Sequence, residues 1–157
     1  MHKVKWGILL TTIAVFLAGC EQETTAAETG GADASWMTNY DAALQKAAAE
    51  NKHVLVDFSG SDWCGWCIKL DKEVFSQDEF ISYADENLIL LLVDFPRSKE
   101  QSDEQKAANE ALAKKYGIRG FPTVLILNPQ GKVVEQTGYQ AGGAGPYVEM
   151  IKNIIAK

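Results

Sequence analysis

Trp63-Cys64-Gly65-Trp66-Cys67 constrains this chain more than any other segment. Two cysteines three positions apart close a disulfide within one helical turn. The stretch before them, Val54-Leu55-Val56-Asp57-Phe58, reads as a buried strand. Strand, tight turn and a CxxC that opens a helix form the context of a redox motif. At a helix start, unpaired N–H groups and the macrodipole favour negative charge. A thiol at Cys64 therefore ionises more easily than a free cysteine. Its thiolate attacks disulfides, and Cys67 resolves the mixed disulfide that results. A purely structural disulfide is the weaker alternative, because so small a loop constrains the unfolded chain little. Zinc is weaker still. It takes four ligands, and beyond this pair the chain offers only His2, His53 and Cys20 as nitrogen or sulfur donors.

The periodicity of the remaining chain alternates between helix and strand. Tyr40, Leu44 and Ala47-Ala48 fall at helical spacing, so Trp36 to Asn51 reads as an amphipathic helix. His53 to Phe58 is a strand. Cys64 to Asp71 reads as helix with Ile68 and Leu70 toward the core. Phe75 to Asn87 reads as a second helix with Phe80, Ile81 and Ala84 on its buried side. Leu88 to Asp94 is an unbroken apolar run, which suits a strand covered on both faces. Pro96 to Asn109 reads as a loop and an extended helix start. The helix Ser102–Tyr116 stops at Gly117. Thr123–Leu127 and Lys132–Thr137 form a hairpin around Pro129-Gln130-Gly131. Gly138 to Gly145 is a loop, and Pro146 to Ala156 is a closing helix. The fold class is α/β, with a central mixed sheet and helices on both faces.

Several segments carry a family resemblance. Val56-Asp57-Phe58 and Trp63-Cys64-Gly65 resemble the active-site strand and loop of thioredoxin. Tyr116-Gly117-Ile118-Arg119-Gly120-Phe121-Pro122-Thr123 resembles its cis-proline segment, and Asn128-Pro129-Gln130-Gly131-Lys132 its hairpin turn. The likeness runs from about Trp36 to the C-terminus. It implies a thioredoxin-like fold and dithiol–disulfide exchange with protein cysteines, without metal or organic cofactor. It implies that Pro122 is cis and presents neighbouring backbone to the substrate near Cys64. The bland alternative is a trans proline opening an edge strand. Asp57 takes the place of the buried acid that assists proton transfer at the resolving cysteine. Two departures weigh against that role. Six residues separate Asp57 from Cys64, one more than in thioredoxin, and no lysine lies in Leu88–Val93 to partner the acid. A plain strand-end aspartate is the alternative. Trp63 matches the aromatic before the motif. Trp66 replaces the usual proline and offers an apolar face to substrate, or else caps the helix start. Phe121 precedes Pro122, where substrate choice is tuned, or is a core residue. Lys69 is a candidate for favouring a nearby thiolate.

The N-terminus adds a location. His2, Lys3 and Lys5 precede an uncharged, mostly apolar stretch from Trp6 to Gly19. It is shorter than the roughly 20 residues of a membrane span, and reads as an export signal. Leu17-Ala18-Gly19-Cys20 resembles a bacterial lipoprotein cleavage box, which implies lipidation of Cys20. An ordinary signal with a chance cysteine is the alternative. Lipid on Cys20 leaves Cys64 and Cys67 as the pair. Glu21 to Ser35 has no large apolar residue and reads as a tether. The division is therefore a signal over 1–19, a lipidated start and tether over 20–35, and a folded domain over 36–157.

The expected protein is a thiol–disulfide oxidoreductase of the bacterial cell envelope, more in keeping with a reductase. It is lipid-anchored, faces the periplasm or exterior, and sits at the outer membrane in a two-membrane host. Its partners are envelope proteins with cysteines or disulfides, and a redox partner that recycles the CxxC. A monomer is expected. The net charge of −6 and the lack of a basic patch exclude a nucleic-acid surface. An oxidase, an isomerase and a non-catalytic binding module of the same fold remain open. Motifs of this kind span roughly −270 to −120 mV.

Overall fold

The computed structural model describes residues 34–156. The signal segment, Cys20 and nearly all of the tether lie outside the described residues. Strand β1 (Trp36–Met37) leads into helix α1 (Tyr40–Glu50), then β2 (His53–Ser59) and α2 (Gly65–Leu70). A π-helical turn (Asp71–Phe75) continues α2, followed by α3 (Asp78–Asn87), β3 (Leu88–Asp94) and α4 (Asp103–Tyr116). The chain closes with β4 (Thr123–Leu127), β5 (Val133–Thr137) and α5 (Ala144–Ile155).

The five strands lie in the order β1-β3-β2-β4-β5. β1 and β2 run parallel to β3, while β4 runs antiparallel to both β2 and β5. Helices cover both faces, as the alternation of strand and helix predicts. β2 is central, and its side chains alternate between two cores. Val54, Val56 and Phe58 pack with Leu91, Val93 and Leu125 beneath Ala43 and Ala47 of α1. Leu55 packs on the opposite face with Leu90, Val124 and Ile126, beneath α2, α3 and α5. Asp57 shares parity with Leu55. The pleat therefore turns its carboxyl toward the face that α2 covers.

Local chemistry sets the helix ends. The side chain of Asn39 accepts from the Ala42 N–H, and that of Ser102 from the Gln105 N–H. Gly117 ends α4 at φ 64°, a left-handed conformation that glycine adopts without strain.

The structure corrects three readings. Trp36–Met37 is a short edge strand, and the helix begins only after Asn39. Ile68 does not face the core: it is 47% exposed. Residues two apart on a helix cannot share a face. The inward stripe is instead Cys67, Leu70 and Val74. Phe75 belongs to the π-turn and not to the next helix, because the chain breaks at Ser76–Gln77 before α3 begins.

Candidate active site

β2 ends in a turn that places the cysteines. Gly60 C=O accepts from the N–H groups of Trp63 and Cys64, at 3.1 and 2.8 Å. A Cβ on Gly60 would stand 2.6 Å from the Trp63 ring, so only glycine lets the indole lie against this turn. Cys64 is the N-cap of α2, with extended backbone, and its sulfur accepts from the Cys67 N–H at 3.3 Å. Cys64 and Cys67 form a disulfide with Cα atoms 5.2 Å apart. Cys64 is 8% exposed and Cys67 3%. The first sulfur thus sits at the helix entrance and the second a turn inside.

Asp57 lies beneath. Its register partner in β3 is Leu92, so an apolar residue stands where a compensating cation would otherwise act. Its Oδ1 has no hydrogen-bond partner. A cavity of about 270 Å³ joins Asp57 to Ser59, Cys67, Asp71 and Trp36. Burial pushes the Asp57 carboxyl up to about 7. The carboxylates of Asp71 and Asp94 act in the same direction, and a hydrogen bond with Ser59 opposes them. Near neutral pH the group can therefore hold or release a proton next to the inner sulfur.

The Phe121–Pro122 bond is cis. The Pro122 carbonyl would stand 3.0 Å from a Cβ on Gly138, so the loop after β5 packs closely behind it. Tyr147 fixes that loop by donating its hydroxyl to the Gly138 carbonyl at 3.2 Å. Phe121 and Cys64 line one open cavity of about 440 Å³, with Trp63, Ile118 and Arg119. Phe121 is half-buried. It stacks on Phe95 at 5.0 Å and meets Trp63 edge-on at 6.1 Å.

Both tryptophans of the motif are exposed, Trp66 at 58%. Trp66 lies against Tyr139 at 5.2 Å, and the Lys69 ammonium sits over both rings. Glu73 accepts from the Tyr139 hydroxyl and pairs with Lys69 at 3.8 Å, so Lys69 is engaged on this flank. Trp63 donates its indole N–H to the Phe95 carbonyl at 2.8 Å, and the Arg97 guanidinium lies 3.8 Å over its ring.

Sequence reasoning missed the groups that hold the loop after β3. The Asp62 carboxylate accepts from the backbone N–H groups of Arg97, Ser98 and Lys99. These bonds keep it below the usual carboxylate range. Asp94 accepts from both the N–H and the hydroxyl of Ser61. The loop read from Pro96 onward was the available signal: the backbone N–H groups of an irregular connection need acceptors.

Residues 40–144 match the model of a thioredoxin-like domain family. The chain is 33% identical over 117 residues to the disulfide bond reductase DsbH of Chlamydia pneumoniae, covering 74% of this chain and 70% of that protein. It is 32% identical to the thioredoxin-related protein DsbJ of the same organism, but spans only 30% of that longer protein. A solved structure of a DsbH oxidoreductase superposes with a TM-score of 0.76 at 31% identity, covering 88% of this chain and 96% of that one. The family match takes in the strand, the CxxC helix and the cis-proline segment described above, and the chain belongs to the thioredoxin-like family.

Proposed function

We propose that this protein is a thiol–disulfide oxidoreductase that reduces disulfides of cell-envelope proteins while lipid on Cys20 holds it at the membrane. The observation that carries the reading is the CxxC at the start of α2, with its inner sulfur in one cavity with Asp57. The DsbH relative is named a disulfide bond reductase, which supports the reducing direction, and the export signal with its Leu17-Ala18-Gly19-Cys20 box supports the envelope location.

In the reduced form the Cys64 thiolate attacks a substrate disulfide. A bond forms from Cys64 to one substrate sulfur, and the other leaves as a thiolate that takes up a proton. Cys67 then loses its proton, with Asp57 as the nearby acceptor, and attacks the Cys64 sulfur. The second substrate thiol departs, and the protein is left as the Cys64–Cys67 disulfide. Two substrate thiols are made for each protein dithiol oxidised. Pro122, Phe121 and Trp63 form one bank of the substrate surface, and Trp66, against Tyr139, the other. A separate redox partner returns the disulfide to the dithiol.

Redox titration against glutathione, combined with trapping, tests this. A midpoint toward about −270 mV is expected for a reductase, and one toward −120 mV supports an oxidase. Cys67→Ser should accumulate mixed disulfides with envelope proteins. A domain whose thiols react no faster than free cysteine, and whose Cys67→Ser form captures nothing, would instead be a binding module.

A further inference from the structure

The chain carries a net charge of −6 and has only two arginines, Arg97 and Arg119. Both lie at the redox motif. The Arg97 guanidinium lies 3.8 Å over the Trp63 ring. Arg119 lines the open cavity that Cys64 shares with Trp63 and Phe121. They come from different elements, one from the loop after β3 and one from the turn before β4. Neither guanidinium lies within ion-pair distance of a carboxylate among the described residues. Asp62 is the acid nearest in sequence to Trp63, and it is saturated by backbone N–H groups. Those same bonds fix the Arg97 backbone, so the guanidinium is held at the site and not left on a free loop. Glu73, on the other flank, is engaged by Tyr139 and Lys69.

We propose that Arg97 and Arg119 form a carboxylate-reading rim beside Cys64, selecting protein segments that carry aspartate or glutamate next to the target cysteine. Guanidinium groups present planar donor pairs that match a carboxylate, and each is permanently charged. An anionic side chain of a partner meets two cations at this rim of a chain whose net charge is −6. Charge complementarity of this kind acts mainly on selection and encounter. The proposal rests on the exchange reaction given above.

The test uses the full chain in reduced form and three short peptides. Each has one cysteine, flanked on both sides by glutamate, glutamine or lysine and capped as a thiopyridyl disulfide. Cys64 attacks the peptide sulfur, the cap leaves as thiopyridine with its electron pair and a proton, and Cys67 then releases the peptide thiol. Thiopyridine release gives the rate. The glutamate peptide should react about three- to tenfold faster than the glutamine peptide, and the lysine peptide slowest. Salt at about 0.5 M should shrink the ratio. In Arg97→Gln/Arg119→Gln the ratio should fall to near one, while Arg97→Lys/Arg119→Lys should retain most of it. A wild-type ratio near one overturns the proposal. So does a double variant that slows every peptide by the same factor, since the cations then act on the Cys64 thiolate and not on substrate charge. Release from none of the peptides would overturn the exchange reading itself, and this proposal with it.

Discussion

Replacing Asp57 with asparagine should flatten the pH dependence of stability. A carboxyl near 3.8 in the unfolded chain titrates at about 7 in the fold, because burial disfavours its charge. Below about pH 4 both states hold the proton, and the group contributes no slope. Between about 4 and 7 only the folded state holds it, so stability falls as pH rises. Above about 7 both states are ionised and the penalty is complete. Three pH units at 1.36 kcal/mol each give a total of about 4 kcal/mol, of which about 2.5 falls between pH 5 and pH 8. Urea unfolding of the disulfide form at those two pH values reads this directly. The midpoint of the wild type should drop by about 1–2 M more than that of Asp57→Asn. His53, whose burial lowers its own proton affinity, acts in the opposite direction but equally in both proteins. If the two proteins lose stability in parallel, Asp57 does not carry a proton in the fold, and the proton-transfer role assigned to it falls.

Other outcomes follow from single contacts. Gly60→Ala should displace the Trp63 indole, costing about 1–3 kcal/mol of thermal stability and slowing disulfide exchange; an unchanged Tm would refute the close approach. Asp62→Ala should speed amide hydrogen exchange at Arg97, Ser98 and Lys99 by about tenfold while leaving the amides of β2 protected. Leu91→Ala should cost about 2–5 kcal/mol, because this fully buried side chain lies in the core beneath α1. Cys20→Ala should remove the protein from the membrane fraction, and labelled fatty acid that never appears on the wild type would end the lipoprotein reading.

The parts of the fold that repeat a pattern were legible. Leu88–Asp94 is an apolar run and became β3, and the polar start and closing glycine of α4 lie where they were read. The Cys64–Cys67 pairing was legible in its spacing, and the cis Phe121–Pro122 bond in its segment's resemblance to a known family. What escaped was short or tertiary. A two-residue strand has no periodicity, so Trp36 and Met37 merged with the helical spacing of Tyr40 and Leu44. Apolarity alone points Ile68 inward, whereas the helical spacing of Cys67, Leu70 and Val74 defines the buried stripe. No local pattern could tell that Asp62 would reach the amides of residues 97–99, or that Leu92 would stand opposite Asp57. Those pairings depend on strand order, which the sequence does not write out.

Trp36 gives the edge strand a mechanical meaning. It is half of a two-residue strand, its ring lies 5.2 Å from that of Phe75, and it walls the cavity that holds Asp57 and Cys67. So short a strand at a sheet edge opens more readily than the strands inside it. Water admitted past this edge would solvate the buried carboxyl and return its proton affinity, raised to about 7 by burial, toward the ordinary carboxylate range. The acidity beneath the disulfide is therefore set partly by two residues at the rim of the sheet.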